Sequence, residues 1–207
     1  NYGYMSIPLA AAFYSGGDTM GVLFVFNVGG EVSIWTLGLL VLSGTSLKES
    51  SKHLLSAPAI SILVALPLNQ FNGKEWLPGF VLQTAHMLGQ CTIPLGLVLV
   101  GATMADQLPG FKSEKGWRVM AVASFLRLAV VPVGFVLAAK FLPFSVELKR
   151  VLVLQAAMPS AVFPIILARH YGGDAATALR VVIGTTVASF ITIPLALRIG
   201  MRFVGAE

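Results

Sequence analysis

The stretch NYGYMSIPLAAAFYSGGD (residues 1–18) is echoed 156 places later by AMPSAVFPIILARHYGGD (157–174). The shift lays Pro8 on Pro164, Ala12 on Ala168, and Gly16, Gly17 and Asp18 on Gly172, Gly173 and Asp174. Past the turn, Leu23, Val25, Ser33, Thr36 and Leu39 fall on Leu179, Val181, Ser189, Thr192 and Leu195. These ten identities over positions 1–41 compare with about four for a shared apolar composition alone. Each copy consists of a proline-broken apolar span, a GGD turn and a second span, giving repeat units at 1–42 and 157–198.

Composition says what solvent these spans meet. Hydrophobic residues make up 56% of the chain and charged residues 11%, far from the roughly 25% charged of a soluble domain. Apolar runs recur along nearly the whole chain, which implies an all-α integral membrane protein. The net charge of +5 comes from Lys and Arg lying between the runs. That placement suits lipid headgroups, and without a basic cluster alternating with aromatics it excludes nucleic-acid binding. The first residues lack the basic flank and cleavage pattern of a signal peptide. Cys91, the single cysteine, forms no internal disulfide.

Cut at charge clusters and turn residues, the chain yields seven segments in a single membrane domain, 1–207. They are A (1–14), B (19–42), C (57–71), D (79–105), E (118–139), F (149–168) and G (175–197), joined by SGGD, SLKESSKH, NGKEW, DQLPGFKSEKG, FLPFSVE and YGGD. Five crossings from A to F make the two copies enter from opposite faces, so the repeat is inverted. Transporters are built this way, with two discontinuous helices crossing near the midplane. A mid-span proline removes a hydrogen bond and frees a carbonyl, which lipid penalises and a lined cavity tolerates. Taken singly, these prolines read more readily as ordinary kinks, as do Pro94, Pro132 and Pro194. The repeated pair, beside Asn1, Gly3, Ser6, Gln155, Met158, Pro159 and Ser160, reads as a substrate site.

At these residues the chain resembles a known family. NYGYMSIPL is similar to the N-x-G-[FY]-M-G-I-P stretch of the auxin efflux carrier family, which includes plant PIN-type carriers and bacterial permeases. IPLGLVLVGATMAD (93–106), FLRLAVVPV (125–133) and AAMPSAVFPIILARHYGGD (156–174) resemble three further blocks in the family's order. The resemblance covers essentially the whole chain. It implies a ten-helix fold of two inverted five-helix repeats, with segment A matching the fourth helix and G the tenth. The chain would then be the C-terminal seven segments, in keeping with the missing initiator Met. Ser6 stands where the family often has Gly, and Glu31 is a departure too; both bear on substrate more than on fold.

Polar groups inside the spans are the coupling candidates. Glu31, the one acid within a span, lies one helical turn from Asn27, and Arg127, midway along segment E, is its natural counter-charge. The structural reading of Glu31, an ion pair or a protonated carboxyl, outweighs proton coupling. Gln83, His86 and Gln90 form a stripe in segment D at helical spacing, with His86 more often a packing residue than a proton carrier. Three scattered histidines make no metal set, and no cofactor is expected. Loop charges divide six against six between the two faces, with Arg180 tipping the count slightly. The resemblance makes the same choice, with the loop after B cytoplasmic and the C-terminus outside.

The expected function is secondary transport of a small organic anion, a weak carboxylic acid above all, across the plasma or bacterial inner membrane by alternating access. Coupling to H+ or Na+ is open, contacts to membrane lipid follow from the spans, and a homodimer is allowed. A sodium-coupled carrier of the bile-acid symporter type shares the architecture but would want an acid at the crossing. An intramembrane enzyme would need a Ser-His or Asp-Asp set at one depth, which the spans lack.

Overall fold

The computed structural model describes residues 1, 3–14, 17–38, 41, 57–107 and 116–206, and every regular element among them is helical. The elements are α1 (Ser6–Phe13), α2 (Gly17–Ser33) with a π-helical turn (Ile34–Gly38), α3 (Ala57–Gln70), α4 (Gly73–Trp76) and α5 (Gly79–Gln107). They continue as α6 (Trp117–Phe125), a second π-helical turn (Leu126–Val130), α7 (Val131–Phe141), α8 (Val146–Ala157), α9 (Phe163–His170) and α10 (Ala175–Val204). Segment G runs seven residues past its expected end, because nothing before Gly205 (φ 70°) breaks it. The NGKEW join is no simple turn, since it holds α4. The SLKESSKH join, and residues 108–115 of the next, lie outside the described residues.

Two compact units make up the chain, one of Phe24–Leu99 and one of Asn1–Leu23 with Val100–Glu207. In the first, Pro67 and Pro94 sit inside α3 and α5 without ending them. Asn72 takes a left-handed conformation (φ 51°) between α3 and α4, which its short polar side chain tolerates. Gly73 is needed beside it, since a Cβ would stand 2.7 Å from the Leu68 carbonyl oxygen. The Trp76 indole closes the turn by donating to the Phe71 carbonyl at 3.1 Å.

The second unit is organised around α8. Every residue from Val151 to Ala157 is buried, as expected of a helix apolar on all sides. Helices α1, α7 and α10 pack against it, and α6 and α9 pack against α10. Leu154, Met158, Ile165, Leu179 and Val182 form the interior. The π-helical turn Leu126–Val130 directly precedes Pro132. A proline ring would crowd the carbonyl four residues back in a regular helix, and a widened turn relieves that contact. Asp174 starts α10, accepting from the N–H groups of Ala176 and Thr177 at 3.0 Å each and from the Thr177 hydroxyl at 2.6 Å.

Among the described residues, two continuous helical stretches are long and apolar enough to cross a bilayer, Trp117–Phe141 (mean hydropathy 2.1) and Ala175–Val204 (1.7). No residue in the most apolar stretch of the first is buried. Phe125 and Val130 on it, and Phe190, Ile191 and Leu195 on α10, are exposed. Apolar surface on this scale calls for lipid as solvent.

Candidate functional site at a broken helix

Helix α8 stops at Ala157 and α9 starts at Phe163, leaving residues 158–162 without helical hydrogen bonding. Two prolines account for this from opposite sides. Pro159 disfavours helical backbone at the residue before it, and Met158 is extended (ψ 139°). Pro164 lies in the first turn of α9, where a missing N–H leaves nothing unpaired. Pro8 has the same place in α1, behind a turn at Gly3–Met5. Both breaks therefore lie ahead of the repeated proline, which opens an eight-residue helix in each case. At Pro8 the helical bonds from the Ile7 N–H to the Gly3 carbonyl and from the Leu9 N–H to the Met5 carbonyl flank the one bond, to the Tyr4 carbonyl, that a proline cannot make.

The two irregular segments meet. The backbone nitrogen of Asn1 donates to the Pro159 carbonyl at 2.9 Å. The Gln155 carboxamide donates to Ser6 Oγ at 3.4 Å, both side chains being buried. Asn1 Oδ1 is buried and finds no hydrogen-bond partner among the described residues.

Broken helix ends leave backbone groups that need partners, and two neighbouring helices supply them. The Gln155 carbonyl, in the last turn of α8, accepts from the Met158 N–H at 3.3 Å and from Arg127 Nη2 at 3.1 Å. The cation also complements the negative end of the α8 dipole. The Ser160 N–H donates to Thr185 Oγ1 at 3.2 Å, and that hydroxyl reaches the Val181 and Val182 carbonyls at 2.7 and 3.1 Å.

Of the residues singled out in the sequence, Asn1, Ser6, Gln155, Met158, Pro159 and Ser160 come together here. Gly3 accepts from the Ile7 N–H in the preceding turn, and a Cβ on it would touch nothing within 4 Å. Pro164 is exposed. Asn27, Glu31, His86 and Gln90 belong to the Phe24–Leu99 unit. There Asn27 is buried, Glu31 is half-buried, and the His86 and Gln90 side chains meet at 3.0 Å on an exposed face. Arg127, read as a counter-charge for Glu31, belongs to the other unit and directs one guanidinium nitrogen to the Gln155 carbonyl.

Thr185 escaped the sequence reading, as did the role of Arg127. The available signal was the recurrence of Thr185, Ser189 and Thr192 at helical spacing along α10. Ser124 Oγ and Thr192 Oγ1 are buried and without hydrogen-bond partners among the described residues. No group of three His, Cys, Asp or Glu side chains able to hold a metal ion occurs among those residues. The groups named at the break are a guanidinium, two carboxamides and hydroxyls, with no carboxylate, a donor set chemically suited to an anion.

The sequence profile of a family described as membrane transport protein matches residues 40–197. The chain is also similar to an uncharacterized transporter of Methanocaldococcus jannaschii, at 24% identity over an alignment of 203 residues that covers 94% of this chain and 63% of that protein. It thus spans about 63% of the length of that curated relative. No solved structure matches.

Proposed function

The chain belongs to the membrane transport protein family, the auxin efflux carriers, and from that premise we propose that it is a secondary transporter moving a small organic anion by alternating access. The observation that carries this is the meeting of Asn1 and Ser6 with the break at residues 158–162. A carboxylate leaving water must replace its hydrogen bonds. Asn1, Gln155, Ser160 and the remaining N–H groups of Arg127 are the donors at hand. The inverted repeat belongs to the same proposal. Supporting it, α1 and α9 fall within one residue of each other under the 156-residue shift, and each is followed within a few residues by a longer helix. A weak carboxylic acid fits this donor set better than sodium ligation does, for want of a carboxylate.

The test is equilibrium binding of a panel of small carboxylic acids to the purified, intact carrier. Asn1→Ala, Gln155→Ala and Ser160→Ala should each weaken the best ligand roughly five- to a hundredfold, the effect of losing one hydrogen bond to a charged group. Arg127→Gln should weaken the acid more than its neutral amide. Unchanged affinity in all four variants places the site elsewhere. Coupling is tested separately with Glu31→Gln, which flattens the pH dependence of uptake if Glu31 carries protons and leaves it intact if Glu31 serves structure alone.

A further inference from the structure

One end of the α7–α8–α10 assembly carries an excess of positive charge that the transport reading does not use. Lys140 closes α7, Lys149 and Arg150 lie in the first turns of α8, and Arg198 and Arg202 lie in the last turns of α10. Side-chain contacts tie the three helix ends together. Lys140 Nζ lies over the Phe203 ring at 5.3 Å. Arg150 donates through Nε to the Ala206 carbonyl at 3.2 Å and lies over the Tyr14 ring at 5.4 Å. Glu147 is an acid at this end, Asp18 follows Tyr14 by four residues, and Glu207 follows in sequence.

The setting of these cations identifies what they meet. Lys140, Arg198 and Arg202 are exposed, and beside them Phe141, Leu142, Leu195, Ile199 and Phe203 are exposed as well. Long basic side chains at the rim of a lipid-facing apolar belt extend along it and place their charge at headgroup depth. A layer of headgroup phosphodiesters complements exposed cations so placed. We propose that this end of the assembly binds the headgroups of anionic phospholipids, with Arg198 and Arg202 as the main contacts. The partner is the lipid phosphodiester in its bilayer, held by charge above and by the acyl chains against α10 below.

The test compares the purified, intact protein in nanodiscs of dioleoylphosphatidylglycerol and of dioleoylphosphatidylcholine, counting retained lipids by native mass spectrometry and following thermal stability. The anionic lipid should be retained over the zwitterionic one and should raise the unfolding temperature. Arg198→Gln with Arg202→Gln should lower its retention about fivefold for each cation removed. Arg198→Lys with Arg202→Lys should keep it, and Arg169→Gln, on another helix end, should not change it. Equal retention of the two lipids by the unaltered protein overturns the proposal without recourse to any variant. So does an equal loss in Arg169→Gln, which reduces the effect to net charge, or an equal stabilisation by inorganic phosphate, which removes the lipid from it.

Discussion

Arg127, in the π-helical turn between α6 and α7, sets its guanidinium Nη2 3.1 Å from the carbonyl oxygen of Gln155, in the last turn of the interrupted helix α8. The side chain thereby links a lipid-facing span to the end of the most deeply buried helix of its unit. A buried carbonyl at a helix end needs a donor, and a cation there also opposes the negative end of the dipole.

Removing that donor should be felt first in stability. Arg127→Leu keeps apolar bulk but leaves the carbonyl only the longer bond from the Met158 N–H, and the lost bond to a charged group should cost about 1–3 kcal/mol. Arg127→Lys keeps the charge without the planar fork and should recover part of the loss. Thermal unfolding of the detergent-purified protein measures both, and a Leu variant as stable as the original would show that the bond contributes nothing.

Thr185 offers a second test on the other side of the break. Thr185→Val preserves shape and removes the hydroxyl that receives the Ser160 N–H, so the variant should lose about 1–3 kcal/mol. Thr185→Ser keeps the acceptor and should lose only the buried methyl group, about 1 kcal/mol. Ser189→Ala is the control, because Ser189 Oγ bonds the Thr186 carbonyl of its own helix, a bond that contributes little to a helix already formed.

These two residues also mark where sequence reading ends. Run length and turn residues reveal the helices, because the apolar spans of membrane segments are local properties. The interruption near Pro159 is legible for the same reason, since proline acts on its immediate neighbours. Arg127 and Thr185 reach its backbone from 28 and 25 residues away, and their contacts depend on how α7 and α10 pack against α8. Pro8 is legible in the same way, since the bond it cannot give to the Tyr4 carbonyl is a local property too. Short α4 was hidden in NGKEW, whose residues also form ordinary turns.

Asp174 predicts an acid sensitivity. The Thr177 hydroxyl and N–H, with the Ala176 N–H, hold its carboxyl below the usual aspartate range. A depressed folded-state value means that the stabilisation is complete above the unfolded-state value, near pH 4, and is lost as pH falls through the folded-state one. Asp174→Asn keeps a capping oxygen without the charge. It should unfold at lower temperature than the original at neutral pH, and the gap should close on acidification below about pH 4. A gap that stays constant down to that range would sink the assignment.

The closest helix approach in the larger unit yields a prediction with a built-in control. A Cβ at Gly200 would stand 2.6 Å from Val153 Cγ1 and 3.7 Å from Val136 Cγ2, so α10 is held against α8 by the absence of a side chain. Val153 is 1% exposed, and its branched side chain has few rotamers into which to retreat. Gly200→Ala should therefore destabilise the protein by about 1–3 kcal/mol through overpacking, against the usual gain when alanine replaces glycine within a helix. Val153→Ala alone opens a void and also destabilises. Combined, the two substitutions exchange the positions of the methyl groups, and the double variant should be more stable than the sum of the single effects by about 0.5–3 kcal/mol. Additive losses, measured by unfolding the three variants in the same detergent, would mean that α8 and α10 are not in contact at Gly200.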